Sequence, residues 1–285
     1  MPDRPPRPGT LFVVATPLGH LEDVSLRALR VLREASLVAC EDTRRTATLL
    51  RAHALATPMT SYFERNERWK GERVLDALRS GRDVALVSDA GTPGISDPGY
   101  RLVRDARAGG LPVVPVPGPS AAIAALSVSG LPSDRFLFVG FLPPRAGARR
   151  RALEELARER PTLVLYESPV RVVGCLADMV ELLGDRDAFL CREATKLHEE
   201  YVRAPLSALR ASLAAREAVR GEIVLIVAGA PEAAQAADQD PVALYRSLAG
   251  EGRTRREAVK ETARRLGRRA REVYQLVQEA EPGRE

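Results

Sequence analysis

Residues 83–99 read DVALVSDAGTPGISDPG, which is the most informative stretch of the chain. The apolar run Val84–Val87 is too short for a helix and is typical of a buried strand. It stops at Ser88, after which glycine, proline and aspartate follow with almost no bulky side chain. A strand that ends in such a loop and leads into a helix is typical of an open α/β sheet, which binds ligands at that loop. The stretch therefore predicts an α/β fold and the place of a binding site.

The composition of this loop narrows the kind of ligand. Glycines such as Gly91 allow the backbone to approach a ligand closely. No Gly-Lys-Ser/Thr sequence follows, so the loop is not a P-loop, and it is not a GxGxxG dinucleotide loop either. The carboxylate of Asp89 beside backbone N–H and C=O groups suits a cationic ligand that carries a hydroxyl or amino-acid end. A long turn with a helix cap is the alternative interpretation.

The rest of the chain alternates short apolar runs with helical patterns. Before residue 118 the patterns predict strands over 11–15, 37–40, 84–87 and 113–116 and helices over 26–35, 43–52, 67–79 and 98–107. Beyond it they predict strands over 136–139, 162–166, 188–191 and 223–227 and helices over 148–159, 170–183 and 206–215. The stretch 199–204 is expected to add an antiparallel strand. Strands that alternate with helices indicate βαβ units and a largely parallel sheet.

The same patterns divide the chain into segments. The stretch VVPVPGPSAAIAAL (113–126) ends a strand in Pro-Gly-Pro and opens an alanine-rich helix at Ser120, which indicates a domain boundary. The stretch APEAAQAADQDP is small and polar, as in a linker, and three short helical patterns follow it. We therefore predict a disordered tail (1–10), an αβα domain (11–117), a second αβα domain (118–230), a linker (231–240) and a small basic helical module (241–285).

Composition limits the class of protein. The chain has 285 residues, of which 45% are hydrophobic and 28% are charged, as in ordinary globular proteins. No apolar run approaches the roughly 20 residues that span a bilayer. Cys40, Cys175 and Cys191 are widely spaced and form no CxxC pair, so neither a disulfide framework nor a zinc site is indicated. We expect a cytoplasmic, reduced, metal-free protein without a membrane partner.

The positive charge lies near the C-terminus. The formal net charge is +5, and residues 251–272 alone hold nine Arg or Lys and four Asp or Glu, which accounts for the whole excess. A concentrated basic segment is typical of a protein that binds a polyanion through its phosphates. The candidate residues for such binding are Arg253, Arg255, Arg256, Arg264, Arg265, Arg268, Arg269 and Arg271. The alternative is a solvated helical face in an arginine-rich protein.

Eight stretches occur in the order of one known superfamily. They are TPLGHLEDVSLRAL (16–29), CEDTRRT (40–46), VSDAGTPGISDPGY (87–100), VVPVPGPSAAIAAL (113–126), GLPSDRFLFVGFLP (130–143), YESPVR (166–171), REATKLHEE (192–200) and GEIVLIVAG (221–229). Together they resemble the tetrapyrrole methylase superfamily, whose fold is two αβα domains with S-adenosylmethionine in the cleft between them. The EDTR and SDAGTP motifs replace the usual Gly-Asp-Pro type loop and favour the branch that acts on RNA. His20 stands where the family usually has Asn.

The resemblance implies an activity. It is 2′-O-methylation of the ribose of a cytidine in 16S rRNA near the decoding centre, with S-adenosylmethionine as cofactor and with the small ribosomal subunit and a second copy of the chain as partners. A methylase of a tetrapyrrole such as a precorrin is one alternative, against which the EDTR and TKLHEE motifs and the basic tail argue. An RNA-binding assembly factor without catalysis is another, against which the intact DAGTP and GPSAA segments argue.

The chemistry of methyl transfer indicates which kinds of residue the reaction depends on. Methyl transfer from a sulfonium is an in-line displacement, in which orientation contributes roughly 7–11 kcal/mol, whereas a general base adds only about 10² to 10⁴ in rate. The resemblance implies cofactor contacts from Thr16, Pro17, Ser88, Asp89, Ala90, Gly91, Thr92, Pro93, Ser120, Ala121, Tyr166, Ala228 and Gly229. Candidates for catalysis and substrate positioning are Glu41, Asp42, Arg44, Glu167, Arg171 and Glu193. For Glu41 and Asp42 the alternative is an acidic helix N-terminus with a local salt bridge.

Overall fold

A computed structural model describes residues 7–63, 65–231, 240–266 and 268–280. Its first sheet is entirely parallel, in the order β3-β2-β4-β1-β5. The strands are β1 (Leu11–Val14), β2 (Leu37–Cys40), β3 (Met59–Ser61), β4 (Val84–Val87) and β5 (Val113–Val116). β4 lies in the middle with all four residues buried, and this explains its unbroken apolar run.

Helices cover both faces of the first sheet. They are α1 (Leu26–Glu34), α2 (Thr43–Ala52), α3 (Glu67–Arg79) and α4 (Tyr100–Ala108). α1 begins at Ser25, whose hydroxyl accepts a hydrogen bond from the Ala28 N–H at 3.1 Å. Residues of α1 and α2, such as Leu32 and Leu50, pack on one face, and residues of α3 and α4, such as Leu78 and Leu102, pack on the other.

The second sheet is mixed, in the order β6-β7-β10-β8-β9. Its elements are α5 (Ala121–Val128), β6 (Phe136–Phe141), α6 (Ala146–Leu156), β7 (Thr162–Glu167), α7 (Val172–Leu183), β8 (Asp187–Arg192), β9 (Glu200–Pro205), α8 (Leu206–Ala214) and β10 (Ile223–Val227). β6 and β7 are parallel, whereas β10 runs antiparallel to β7 and β8, and β9 runs antiparallel to β8. The expectation of a largely parallel sheet is therefore correct for the first sheet and wrong for the second.

The C-terminal module consists of α9 (Pro241–Gly250), α10 (Arg255–Leu266) and α11 (Ala270–Ala280). These helices share a small core of their own, which includes Leu248, Val259, Val273 and Val277. In the described part of the chain, every helix is too short or too polar to cross a membrane.

The predicted disordered tail is wrong at its last residues. The N–H of Gly9 donates to the Leu78 carbonyl at 2.8 Å, and the N–H of Thr10 donates to Asp83 Oδ1 at 2.6 Å. Residues 1–6 of that tail, 232–239 of the predicted linker and 281–285 of the module lie outside the described residues. The ranges 11–117 and 118–230 each contain one of the two sheets, and their division into domains stays a prediction.

Candidate functional site

Three loops meet at the carboxyl edge of the first sheet, because β1, β2 and β4 are parallel and end there together. The backbone N–H of Asp42 donates to Asp89 Oδ1 at 2.9 Å. Thr16 Oγ1 donates to the Ser88 carbonyl at 3.2 Å, and the backbones of Thr16 and Gly91 form a bridge. The loops after β1, β2 and β4 therefore form one cluster.

The second sheet presents a matching edge. Ile223, at the start of β10, pairs with Glu167 at the end of β7 and with Arg192 at the end of β8. Between the two edges lies a cavity of about 290 Å³, close to the lower end of the range for small-molecule sites. Its lining includes Leu18, Arg45, Asp89, Ala90, Gly91, Thr92, Ile95, Ser96 and Asp97 from the first half and Ser120, Ala121, Phe141, Tyr166, Glu167, Ser168, Pro169, Cys191, Ala194, Glu222, Ile223 and Val224 from the second.

Most of the residues predicted to bind a cofactor lie around this cavity. Those that line it are Asp89, Ala90, Gly91, Thr92, Ser120, Ala121 and Tyr166. Thr16, Pro17 and Ser88 line a smaller space of about 140 Å³, which shares Leu18, Arg45 and Asp89 with the main cavity. Pro93 is buried within the loop and lines neither space.

Ala228 and Gly229 do not join the site. They follow the carboxyl end of β10, where Val227 pairs with Leu163 at the start of β7. The Ala228 N–H donates to the Asp187 carbonyl at 2.9 Å, at the edge of the sheet opposite the cavity. They do not line the cavity because β10 is antiparallel to β7, so its amino end, not its carboxyl end, faces the cavity.

Gly91 has a backbone conformation that favours glycine. Its φ is +79°, a backbone conformation that side chains rarely adopt. A Cβ there would lie 3.4 Å from Leu18 Cδ2 and 3.8 Å from the Pro119 carbonyl oxygen. Thr92 Oγ1 also donates to that carbonyl at 3.1 Å, so the loop is held against the segment that leads into α5. The backbone therefore forms part of the cavity wall.

Several carboxylates surround the cavity, and two of them, Asp97 and Glu222, were not among the predicted site residues. Burial raises the pKa of Asp97 to about 6, and the nearby carboxylates of Glu41, Asp89 and Glu222 add to the rise. Burial also raises the pKa of Glu41, with Asp89 as the next cause. Arg45 Nε lies 3.5 Å from Asp89 Oδ2. Asp97 follows β4 in the motif SDPG, so its place after a strand could have marked it as a candidate. Glu222 precedes its strand, and no sequence signal pointed to it.

Asp42 and Arg44 have a local structural role. Asp42 Oδ1 accepts the Arg44 backbone N–H at 2.8 Å, as an N-cap of α2, and Asp42 Oδ2 pairs with the Arg44 guanidinium at 2.7 Å. The hydrogen bond from the Arg44 side chain lowers the pKa of Asp42 to about 2. Asp42 is thus held ionised, and this bonding corresponds to the acidic helix N-terminus that was the alternative interpretation.

Glu167 and Arg171 bind each other. Arg171 Nη2 lies 2.6 Å from Glu167 Oε1, and the same oxygen accepts the Ser168 N–H at 2.6 Å. Side chains alternate along β7, so Tyr166 packs with α5 while Glu167 approaches Cys175 of α7. This buried ion pair fixes the turn after β7 instead of presenting a free carboxylate to the cavity.

Glu193 orients the loop after β8. Its Oε1 accepts hydrogen bonds from Lys196 Nζ at 2.8 Å and from the Glu222 N–H at 2.9 Å. Burial alone would raise the pKa of Glu193, but these two bonds outweigh it and the pKa is lowered. The φ of Glu193 is +54°, so this loop keeps a strained backbone. Glu193 itself does not line the cavity, although its neighbour Ala194 does.

The loops after β1 and β8 touch across the cleft. The His20 N–H donates to Thr195 Oγ1 at 3.2 Å, and a Cβ on Gly19 would lie 2.3 Å from Lys196 Cγ. His20 Nδ1 accepts the Glu22 N–H at 3.3 Å, a bond that an Asn carboxamide oxygen could make equally well. His20 can therefore replace the usual Asn without loss of this hydrogen bond.

Comparison with known proteins identifies the family. The profile of the Tetrapyrrole (Corrin/Porphyrin) Methylases matches residues 10–210. The chain belongs to the tetrapyrrole methylase family. A relative from Halalkalibacterium halodurans, named ribosomal RNA small subunit methyltransferase I, is 46% identical over 274 residues, which are 94% of each chain. A relative of the same name from Pseudomonas aeruginosa is 53% identical over 228 residues, 79% of this chain and 81% of its own.

Solved structures of this tetrapyrrole methylase family support the fold. The uroporphyrin-III C-methyltransferase of Thermus thermophilus, solved in complex with S-adenosylhomocysteine, gives a TM-score of 0.57 at 24% identity, with 77% of this chain and 97% of that chain covered. At this identity the likeness concerns the fold alone. The predicted fold class and the predicted family are both confirmed, and the C-terminal module lies beyond the range of the family profile.

Proposed function

We propose that this tetrapyrrole methylase is an S-adenosylmethionine-dependent methyltransferase of 16S rRNA and that its acceptor is the ribose 2′-hydroxyl of a cytidine near the decoding centre. The observation that carries the proposal is the 46% identity to a ribosomal RNA small subunit methyltransferase I over 94% of both chains. Because the alignment covers 94% of this chain, it extends beyond the cleft into residues 241–285.

The cavity suits S-adenosylmethionine. Ala90, Gly91 and Ala121 leave room for a flat group against backbone, and the rings of Phe141 and Tyr166 lie 5.6 Å apart at the second sheet. The carboxylates that line the cavity, among them Asp89 and Asp97, suit the positive charges of a sulfonium and an α-ammonium group. We therefore assign the cofactor contacts to the cavity-lining members of the predicted set, together with Thr16, Pro17 and Ser88 in the adjoining space.

The protein contributes mainly orientation. When bound, S-adenosylmethionine supplies a methyl group on a positively charged sulfur, and the loops must keep the ribose hydroxyl in line with it and exclude water. Among the predicted catalytic residues, Asp42, Glu167 and Glu193 are occupied by structural bonds. Glu41 is the remaining carboxyl group. It lines neither space and has a hydrogen bond with the Asp89 backbone, but burial and the Asp89 carboxylate raise its pKa, and we assign it as the proton acceptor for the hydroxyl.

A transfer assay tests this function directly. Purified protein is incubated with methyl-labelled S-adenosylmethionine and with assembled small subunits, naked 16S rRNA or a uroporphyrinogen-type tetrapyrrole, and ribose methyls are mapped on the RNA. We expect one 2′-O-methylcytidine, and a Glu41→Gln variant should form it more slowly by about 10² to 10⁴. Label on the tetrapyrrole would favour the first alternative. Cofactor binding with no transfer to any acceptor would favour the assembly factor.

We also propose a homodimer in the cytoplasm. α5 and β6 expose large apolar side chains, among them Ile123, Val128 and Phe136, which are 51%, 60% and 41% exposed in the single chain. A symmetric interface would remove such surface from water. Light scattering at micromolar concentration should give twice the chain mass of 31.0 kDa. A monomer at that concentration contradicts the dimer, and an Ile123→Asp variant should shift a true dimer towards monomer.

A further inference from the structure

One carboxylate of the cavity has no counter-ion. Asp89 lies beside Arg45 at 3.5 Å and accepts the Asp42 N–H, and Glu222 pairs with Lys196 at 3.0 Å. Asp97 lines the same cavity, and in the part of the chain that the structure describes no Lys, Arg or His forms an ion pair with it. Its negative charge is therefore available to a ligand.

The groups that face Asp97 make a cation the favourable ligand. The carboxylates of Glu41, Asp89 and Glu222 all act on it electrostatically. Across the cavity Asp97 acts on Tyr166, whose phenol stays neutral because burial raises its pKa. Arg45 acts on Asp89 and Glu41, and Lys196 pairs with Glu193 and Glu222. Neither cation is among the groups that shift the pKa of Asp97. A half-buried, unpaired carboxylate interacts more strongly with a charge than one in water does, because the surrounding dielectric constant is lower.

The methyl donor and its product differ in their positive charge. S-adenosylmethionine carries a sulfonium, and S-adenosylhomocysteine has a neutral thioether but otherwise the same groups. We propose that Asp97 makes the cavity discriminate between the cationic donor and the neutral product, so that the product is held less tightly after transfer. This inference rests on the cofactor site proposed above and adds a specificity-determining residue that the motifs alone did not identify.

The discrimination should depend on pH. The pKa of Asp97 in the free protein is raised to about 6, so the carboxyl group is partly protonated below neutrality. A bound sulfonium favours the ionised form, and its binding therefore releases a proton near that pH. Affinity for the donor should rise as the pH rises through about 6 and then level off, whereas affinity for the product should not. Because the amino-acid end is common to both ligands, its titration cancels in the ratio of their affinities.

Calorimetry on the full chain tests the proposal with three ligands. They are S-adenosylmethionine, S-adenosylhomocysteine and sinefungin, in which an amine-bearing carbon replaces the sulfonium. For Asp97→Asn we expect about tenfold weaker binding of the two cationic ligands and little change for the neutral one. The ratio of affinities should also lose its pH dependence. Ser96→Ala is the matched control, because it alters an uncharged neighbour in the cavity lining and should leave the ratio unchanged.

The possible outcomes separate this inference from the proposed site. Ala121→Leu narrows the cavity and should weaken all three ligands together. If it does so while Asp97→Asn affects all three ligands equally or none of them, Asp97 does not discriminate and the inference is overturned, although the site stands. If Ala121→Leu leaves every ligand bound as before, the cofactor lies elsewhere and both proposals fail. Retained binding of S-adenosylhomocysteine shows that Asp97→Asn is folded.

Discussion

Gly91→Val is expected to weaken S-adenosylmethionine binding by at least about a hundredfold, which is roughly 2.8 kcal/mol. A β-branched residue is unfavourable at a φ of +79°, and its side chain would start 3.4 Å from Leu18 Cδ2. The backbone of Gly91 also exchanges two hydrogen bonds with Thr16, at 2.8 and 3.0 Å, so the loop cannot move away without breaking them. The extra methyl groups would therefore occupy part of the cavity in which we propose that the cofactor binds.

Gly94→Val is the matched control for that experiment. Gly94 lies in the same loop with a φ of +81°, so valine brings a similar backbone strain, but Gly94 does not line the cavity. Thermal unfolding should show comparable destabilisation of both variants. Calorimetry should show cofactor binding close to that of the parent protein for Gly94→Val only. Equal loss of binding in both variants would mean that loop strain, and not occupation of the cavity, explains the effect.

The sequence predicted the bounds of several elements directly. The observed bounds of β2, β4, β5 and β10 and of the helix Thr43–Ala52 agree with the predicted ones. These strands are short apolar runs bounded by turn residues, and that signal is local. β3 was missed because Met59–Ser61 has three half-buried residues at the sheet edge, too few to show an alternating pattern.

Strand direction was the main property that the sequence did not reveal. An apolar run such as Ile223–Val227 predicts a strand but says nothing about which of its ends faces the site. In the parallel first sheet all carboxyl ends lie at one edge, and Asp89 and Gly91 line the cavity at that edge, as the rule for open α/β sheets predicts. In the mixed second sheet the same rule selected Gly229, while the residue at the cavity was Glu222.

The sequence also did not reveal which charged side chains form ion pairs with each other. Glu167 and Arg171 are four residues apart, and either could have faced a ligand, yet they bind each other because the turn after β7 brings them together. Asp97 belongs to the stretch 83–99, from which the binding loop was predicted. It has no counter-ion because the side chains of Arg45 and Lys196 pair with Asp89 and Glu222 instead. The role of a charged residue therefore follows from its neighbours in space and not from its motif alone.

The second large expected effect is a change in the salt dependence of RNA binding when arginines of the C-terminal module are removed. If its arginines bind phosphates, replacing Arg268, Arg269 and Arg271 by alanine in the full chain should make the slope of log affinity against log salt less steep by about 2 to 3. These three side chains are exposed at the start of α11, away from the buried face that carries Val273. Arg264 and Arg265 are less suitable targets because both bind Glu261, at 2.6 and 2.9 Å.

A triple variant of Arg30, Arg33 and Arg51 is the control for total charge. These arginines are exposed on α1 and α2, so their loss lowers the net charge by the same amount outside the module. The affinity for 16S rRNA is measured at several salt concentrations for the parent and both variants, with cofactor affinity as a check on folding. A flatter slope confined to the module variant means direct phosphate contacts. If the module variant is well folded and keeps the parent slope, the module does not bind RNA, and its arginines form only a solvated face.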